Sequence, residues 1–189
     1  MLSLKSAIKT LHARKDKAYG AAWKRRGERI SLLPNIARKV DRLVVYIGTQ
    51  VEMNDETLLD TGIDLLVYSG KYLLFLAEID PSLAPSSLSA AAKIPLSDHA
   101  ENFEWLLDDA SIEASKGETL RDLILAVESK FEELWPLADM SSKPSERFEL
   151  AMALWKKAVT IVGVVSQQQP DVVSRFIQEE SEMAAKRTS

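Results

Sequence analysis

Glu56, Asp60, Asp64, Tyr68 and Lys71 stand four, four, four and three residues apart within DETLLDTGIDLLVYSGKYLLFLAEID, residues 55–80. On a helix such steps keep side chains on one face. Three carboxylates in a row repel one another unless a cation or a basic partner sits on them. Asp41 adds a fourth acid from an earlier helical stretch. It falls at the edge of that stretch's apolar stripe, between Ala37 and Val44 on one side and Val45 on the other. A carboxylate there is partly buried or faces a partner, and a buried one needs a positive partner or a metal. With the two helices antiparallel, Asp41 approaches the ladder and the acids converge. Oxygen ligands in that number suit Mg²⁺, with Mn²⁺ as a substitute, better than zinc. The competing reading is a solvated helix face, with Leu59, Ile63, Leu66, Val67 and Leu74 on the core side.

A second constellation lies upstream. KDKAYGAAWKRRGER, residues 15–29, interleaves Lys15, Lys17, Lys24, Arg25, Arg26 and Arg29 with Tyr19 and Trp23. Aromatic rings stack on bases and cations grip phosphates. Gly20 and Gly27 let the backbone approach a ligand. The GxxxxGK[ST] spacing of a phosphate-binding Walker loop is absent. The alternative is a solvated surface with two anchoring rings.

The elements that must position these residues read as helical nearly throughout. Residues 3–18 form a first helix that ends at Tyr19-Gly20, and a turn or short helix runs through Ala21-Ala22-Trp23 to a break at Gly27. Pro34 suits the first turn of a second helix, whose stripe is Ile36, Val40, Leu43, Val44 and Ile47. Asn54 is the expected N-cap of the third helix, with Asp55 and Glu56 at its positive end and Pro81 as its stop. The Ser/Ala/Pro-rich stretch 81–97 predicts a linker or an ordered wrapping loop between a core at 1–80 and further helices in 98–189, which either complete the bundle or form an interaction module. Those helices are expected near 98–109, 118–135, 145–166 and 170–185. Trp105, Trp135 and Trp155 fall in leucine-containing stripes and are expected in the core. His12 and His99 are isolated in sequence.

Composition narrows the field. The 46% apolar fraction over 189 residues is enough for one domain with a real core. Without cysteine there is no disulfide, thiolate metal site or cysteine nucleophile. MLSLKSAIKTLHARK mixes charges into every turn, unlike a signal peptide, and no apolar run reaches bilayer length. A soluble, cytoplasmic protein without membrane contact is expected. Residues 1–43 carry 12 Lys/Arg against 3 Asp/Glu, a balance of +9, while residues 44–189 stand at −13. The two parts either neutralise each other or present an anion-binding surface beside a cation-binding one.

Tyr19-Gly20-x-x-Trp23, then Lys39-x-x-Arg42, then Glu56-x-x-x-Asp60-x-x-x-Asp64-Leu65-x-x-Tyr68 resembles the nucleotide-modification-associated domain family. That family is similar in turn to the MazG-like all-α nucleoside-triphosphate pyrophosphohydrolases. The resemblance covers about residues 10–80. It implies a MazG-like helical core and Mg²⁺-dependent hydrolysis of a nucleoside triphosphate to monophosphate and pyrophosphate. Asp60 and Asp64, with Asp41, would then be metal ligands, and Glu56 a ligand or the base that activates water. Asp60 would share in the catalysis. Lys17, Arg26, Lys39, Arg42 and Lys71 would hold the substrate's phosphates, and Tyr19 and Trp23 would line the base pocket. A homodimer is implied, because such sites draw on four helices.

The chain departs from the pattern at three places. Related enzymes keep ExxE on one helix and ExxD on the next. Here the first helix has Asp41 alone, Thr61 replaces the acid three before Asp64, and Ala18 stands where an Asp is usual. Two other functions stay open: a catalytically silent helical protein acting through a protein partner, and nucleic-acid binding through the basic segment 14–42.

Overall fold

The computed structural model describes residues 2–49, 56–84, 97–138 and 143–186. The regular elements among them are helices: α1 Leu4–Tyr19, α2 Leu33–Thr49, α3 Leu58–Ile79, α4 His99–Asp109, α5 Leu120–Leu134, α6 Pro144–Gln168 and α7 Pro170–Ala185. The protein is all-α, as its periodicity predicts. A 3₁₀ turn at Gly20–Trp23 and a π-helical turn at Glu28–Leu32 connect α1 to α2. No helix among the described residues is long and apolar enough to cross a membrane.

Local chemistry sets the boundaries. Ser3 caps α1 by accepting from the Ser6 amide, and Gly20 closes it at φ 51°, where a side chain would be strained. The start of α3 differs from expectation. Thr57 is its N-cap, in a reciprocal box with Asp60, so Glu56 precedes the helix and is not on it. Asn54 and Asp55 lie outside the described residues, as does most of the 81–97 stretch. Thr119 and Asp122 build the same box at the start of α5. Pro144 and Pro170 occupy first turns, where a missing amide costs nothing.

α3 is the central element. It packs along α6 and also against α2 and α4, while α5 covers α6 and α2, and α1 rests on α7 and α4. Sixteen of the 22 residues of α3 are buried, which leaves it no broad solvated face. The C-terminal helices therefore complete the same bundle, and one contiguous core joins both sides of the 81–97 stretch. Small residues on α3 and α6 let neighbouring segments approach closely. A Cβ on Gly70 would touch Phe103 and the Trp155 indole, and one on Gly163 would collide with the backbone of Glu113 at 2.4 Å.

A buried ion pair fastens the N-terminal region to α6. Glu28 accepts from Arg147 at 2.7 Å and from the Tyr72 hydroxyl. Of the three tryptophans expected in the core, only Trp155 is there. Trp105 and Trp135 are 45% and 37% exposed, on the outer sides of α4 and the turn after α5. Their leucine-rich stretches are amphipathic, and both rings fall outside the buried stripe.

Candidate functional site

A cavity of about 430 Å³ opens between α1, the Gly20–Trp23 turn and α3. Leu11, His12, Lys15 and Tyr19 line it from α1, one helical face at steps of three and four. Trp23 comes from the turn, and Asp64, Val67, Tyr68 and Lys71 come from α3. Tyr19 is exposed at the mouth, whereas Trp23 and Lys71 are buried. The aromatic and cationic residues of the 15–29 stretch are thus brought onto part of the Asp64–Tyr68–Lys71 ladder.

The inner end is polar but electrically balanced. Lys71 donates to Asp16 at 3.3 Å, and its ammonium lies 5.0 Å from the centre of the Trp23 ring. Burial pulls the Lys71 pKa below the ordinary lysine range, and Asp16 works against that shift. His12 stacks on Phe103 with ring centroids 4.2 Å apart. Burial, reinforced by the nearby Lys71 charge, pushes the His12 pKa down to about 4, so its imidazole is neutral near pH 7. Neither ring nitrogen has a protein hydrogen-bond partner.

The outer side is a charge cluster. Lys39 on α2 donates to Glu56 at 2.9 Å and lies 2.8 Å from Asp64. Lys15 holds the other Asp64 oxygen at 2.9 Å, and Arg42 pairs with Glu56. Burial disfavours the Asp64 carboxylate, but Lys15 and Lys39 outweigh it and hold its pKa below the usual range. Thr61, which replaces the acid expected at that position, donates to Glu56 at 3.4 Å. Three cations face two carboxylates here, an excess of one positive charge beside the pocket.

The expected acid convergence does not form. Asp60 spends its carboxylate on the α3 cap, accepting from the Thr57 amide at 2.9 Å and hydroxyl at 2.7 Å. Asp41 is exposed on α2, because the packed side of that helix is Ile36, Val40, Leu43 and Ile47. Between Glu56 and Asp64, the seat a divalent ion would need holds the Lys39 ammonium. Among the described residues no group of three or more His, Asp or Glu side chains is arranged to hold a metal. These carboxylates, as arranged, do not fit Mg²⁺ or Mn²⁺.

The substrate-binding expectations divide. Tyr19, Trp23 and Lys71 line the pocket. Lys39 and Arg42 are outside the lining and committed to carboxylates, Lys39 to the lining residue Asp64 and to Glu56, and Arg42 to Glu56. Lys17 and Arg26 are exposed and outside the lining. His12 is not among the residues expected at the site, and Lys15 is expected there only as part of the basic stretch; their spacing of seven and four residues from Tyr19 is the available signal. On the other side of Trp23 a hollow of about 500 Å³ is lined by Lys24, Asp98 and His99. There Lys24 and His99 both reach Glu78, at 2.5 and 2.7 Å.

The chain is 32% identical over 77 residues to the Gene 30 protein of Bacillus phage SP01. The match takes in 40% of this chain and 34% of that protein, so the chain spans about a third of the relative's length. No family model matches the chain, and no solved structure matches it.

Proposed function

We propose that the chain binds a nucleotide in the pocket between α1 and α3. The carrying observation is the composition of that one cavity: Tyr19, Trp23 and Tyr68 supply flat apolar surface, the Lys15 ammonium stands at one end, and Lys71, paired with Asp16, closes the other. Aromatic faces take a base regardless of its identity, and cations take phosphate. The net positive rim adds long-range attraction for an anion. A nucleoside triphosphate is the first ligand to test, since the resemblance implies that class.

Nucleotide binding is supported better than metal-dependent hydrolysis. The acids that would bring Mg²⁺ to the phosphates are a helix cap, an exposed side chain and two partners of Lys39. Nucleic-acid binding through residues 14–42 is also less favoured, because Arg14 and Lys24 face carboxylates of the same chain and Lys15 is turned into the cavity.

The test is equilibrium binding of the four nucleoside 5′-triphosphates, with and without Mg²⁺, and with pyrophosphate release followed in parallel. The reading expects saturable binding without Mg²⁺ that is weakened in Trp23→Leu and Lys15→Met. Absence of binding to any of the four would overturn it. Pyrophosphate release that vanishes in Asp64→Asn would restore the hydrolase reading.

A further inference from the structure

His12 is the one pocket residue whose environment the charge cluster and the aromatic walls leave without a role. It is 1% exposed, stacked on Phe103, and both ring nitrogens lack a protein partner. A buried polar group without a hydrogen bond costs about 1–3 kcal/mol, so proteins retain few of them without reason. The residue lines the cavity while both nitrogens are closed off from it, so a molecule seated there satisfies one of them once the ring turns toward it.

The charges on either side say which part of a nucleotide that is. At the inner end Lys71 is already neutralised by Asp16, and His12 is uncharged. Its surroundings, Leu11, Val67 and the Phe103 ring, are apolar. A phosphate brought there would lose hydration for little compensation. A nucleobase loses far less, and its edge offers the donors and acceptors that a neutral imidazole can match. At the outer end Lys15, Lys39 and Arg42 outnumber Glu56 and Asp64, which suits the phosphates.

We propose that the nucleotide enters base first and that His12 hydrogen-bonds the edge of the base, making it the residue that sets base preference. This rests on the reading of the cavity as a nucleotide pocket. His12 is a binding residue in this account and takes no part in bond breaking. Burial keeps the imidazole neutral through the physiological range, so it discriminates by hydrogen-bond pattern and not by charge.

The probes are the four nucleoside 5′-monophosphates, their free nucleosides and ribose 5-phosphate, titrated into wild type, His12→Leu, His12→Gln and Lys15→Met. Circular dichroism and thermal midpoints verify that each variant is folded. Wild type should prefer one base, and His12→Leu should weaken that nucleotide about tenfold, corresponding to the loss of one hydrogen bond. The variant's remaining affinities should be nearly equal, and that for ribose 5-phosphate unchanged. His12→Gln should keep part of the preference, and Lys15→Met should weaken every phosphate-bearing ligand alike. As a readout free of substitution, the His12 ring-nitrogen resonances of wild type should move on saturation with the preferred nucleotide. An unaltered base preference in folded His12→Leu, or motionless His12 resonances, would overturn the inference while leaving the nucleotide pocket standing. Failure of every nucleotide to bind wild type would overturn both.

Discussion

The ammonium of Lys39 on α2 lies 2.8 Å from the carboxylate of Asp64 on α3 and also reaches Glu56, at 2.9 Å. One tethered cation thus replaces the metal that a ladder of acids suggests. Both sides are well shielded, with the Lys39 side chain 12% exposed and that of Asp64 19%. Lys39→Met should leave two carboxylates with one fewer cation and cost about 1–3 kcal/mol, the penalty for stranding a partly buried charge. Combining it with Asp64→Asn should recover much of the loss. Urea denaturation of the single and double variants measures both.

The same cluster has a pH signature. Asp64 is held below its ordinary pKa, so it contributes stability above that ordinary value, and the contribution disappears as pH falls through the folded-state value. Removing Lys39 raises the folded-state value toward normal. Acid unfolding of Lys39→Met should therefore begin at higher pH than that of wild type.

His12 acts in a different window. Its folded pKa of about 4 lies below the ordinary 6.5, so between those values the unfolded chain binds the extra proton. Stability must rise with pH across that interval, by up to about 3 kcal/mol for this group. Burial is the first cause, with Lys71 and Lys15 opposing the imidazolium and Asp16 favouring it. His12→Gln should flatten the slope between pH 4 and 6.5, as read from denaturation midpoints across a pH series.

Glu28 and Arg147 join segments 119 residues apart. With the Glu28 side chain 3% exposed and that of Arg147 6%, removing the arginine strands a buried carboxylate. Arg147→Met should cost about 3–5 kcal/mol, and Tyr72→Phe about 1 kcal/mol. A loss in Arg147→Met below 1 kcal/mol would mean that the pair is not desolvated as described.

Two glycines provide an internal comparison. Gly163 on α6 faces the Glu113 backbone, and an added methyl group has no room. Gly163→Ala should destabilise by about 1–3 kcal/mol through overpacking. Gly48 on α2 has nothing within 4 Å of its would-be Cβ. Gly48→Ala should stabilise by up to about 1 kcal/mol through helix propensity. Thermal midpoints of the pair separate crowding from propensity.

Much of the helical framework was legible in sequence because its signals are local. Apolar periodicity located α2 and α3, and Pro144 and Pro170 marked the starts of α6 and α7. The boundary of α3 was misjudged because Thr57-x-x-Asp60 and Asn54-Asp55-Glu56 are both plausible starts, and the reciprocal cap was overlooked. Tyr19, Trp23 and Lys71 were legible as candidate site residues, and all three line the cavity. What stayed hidden depended on tertiary distance. No local pattern reveals that Lys39 lies between Glu56 and Asp64, or that Glu28 finds Arg147. The burial of His12 depends on Phe103, about ninety positions away along the chain, so an isolated histidine carried no signal.

The most direct test is calorimetric titration of the unmodified chain with a nucleoside triphosphate in Mg²⁺-free buffer containing chelator. The account predicts saturable binding at one site per chain, weakened at least tenfold in Trp23→Leu, the loss of about one base–aromatic stacking contact. Binding that appears only when Mg²⁺ is supplied would contradict it, since the acids would then be holding a metal and not Lys39.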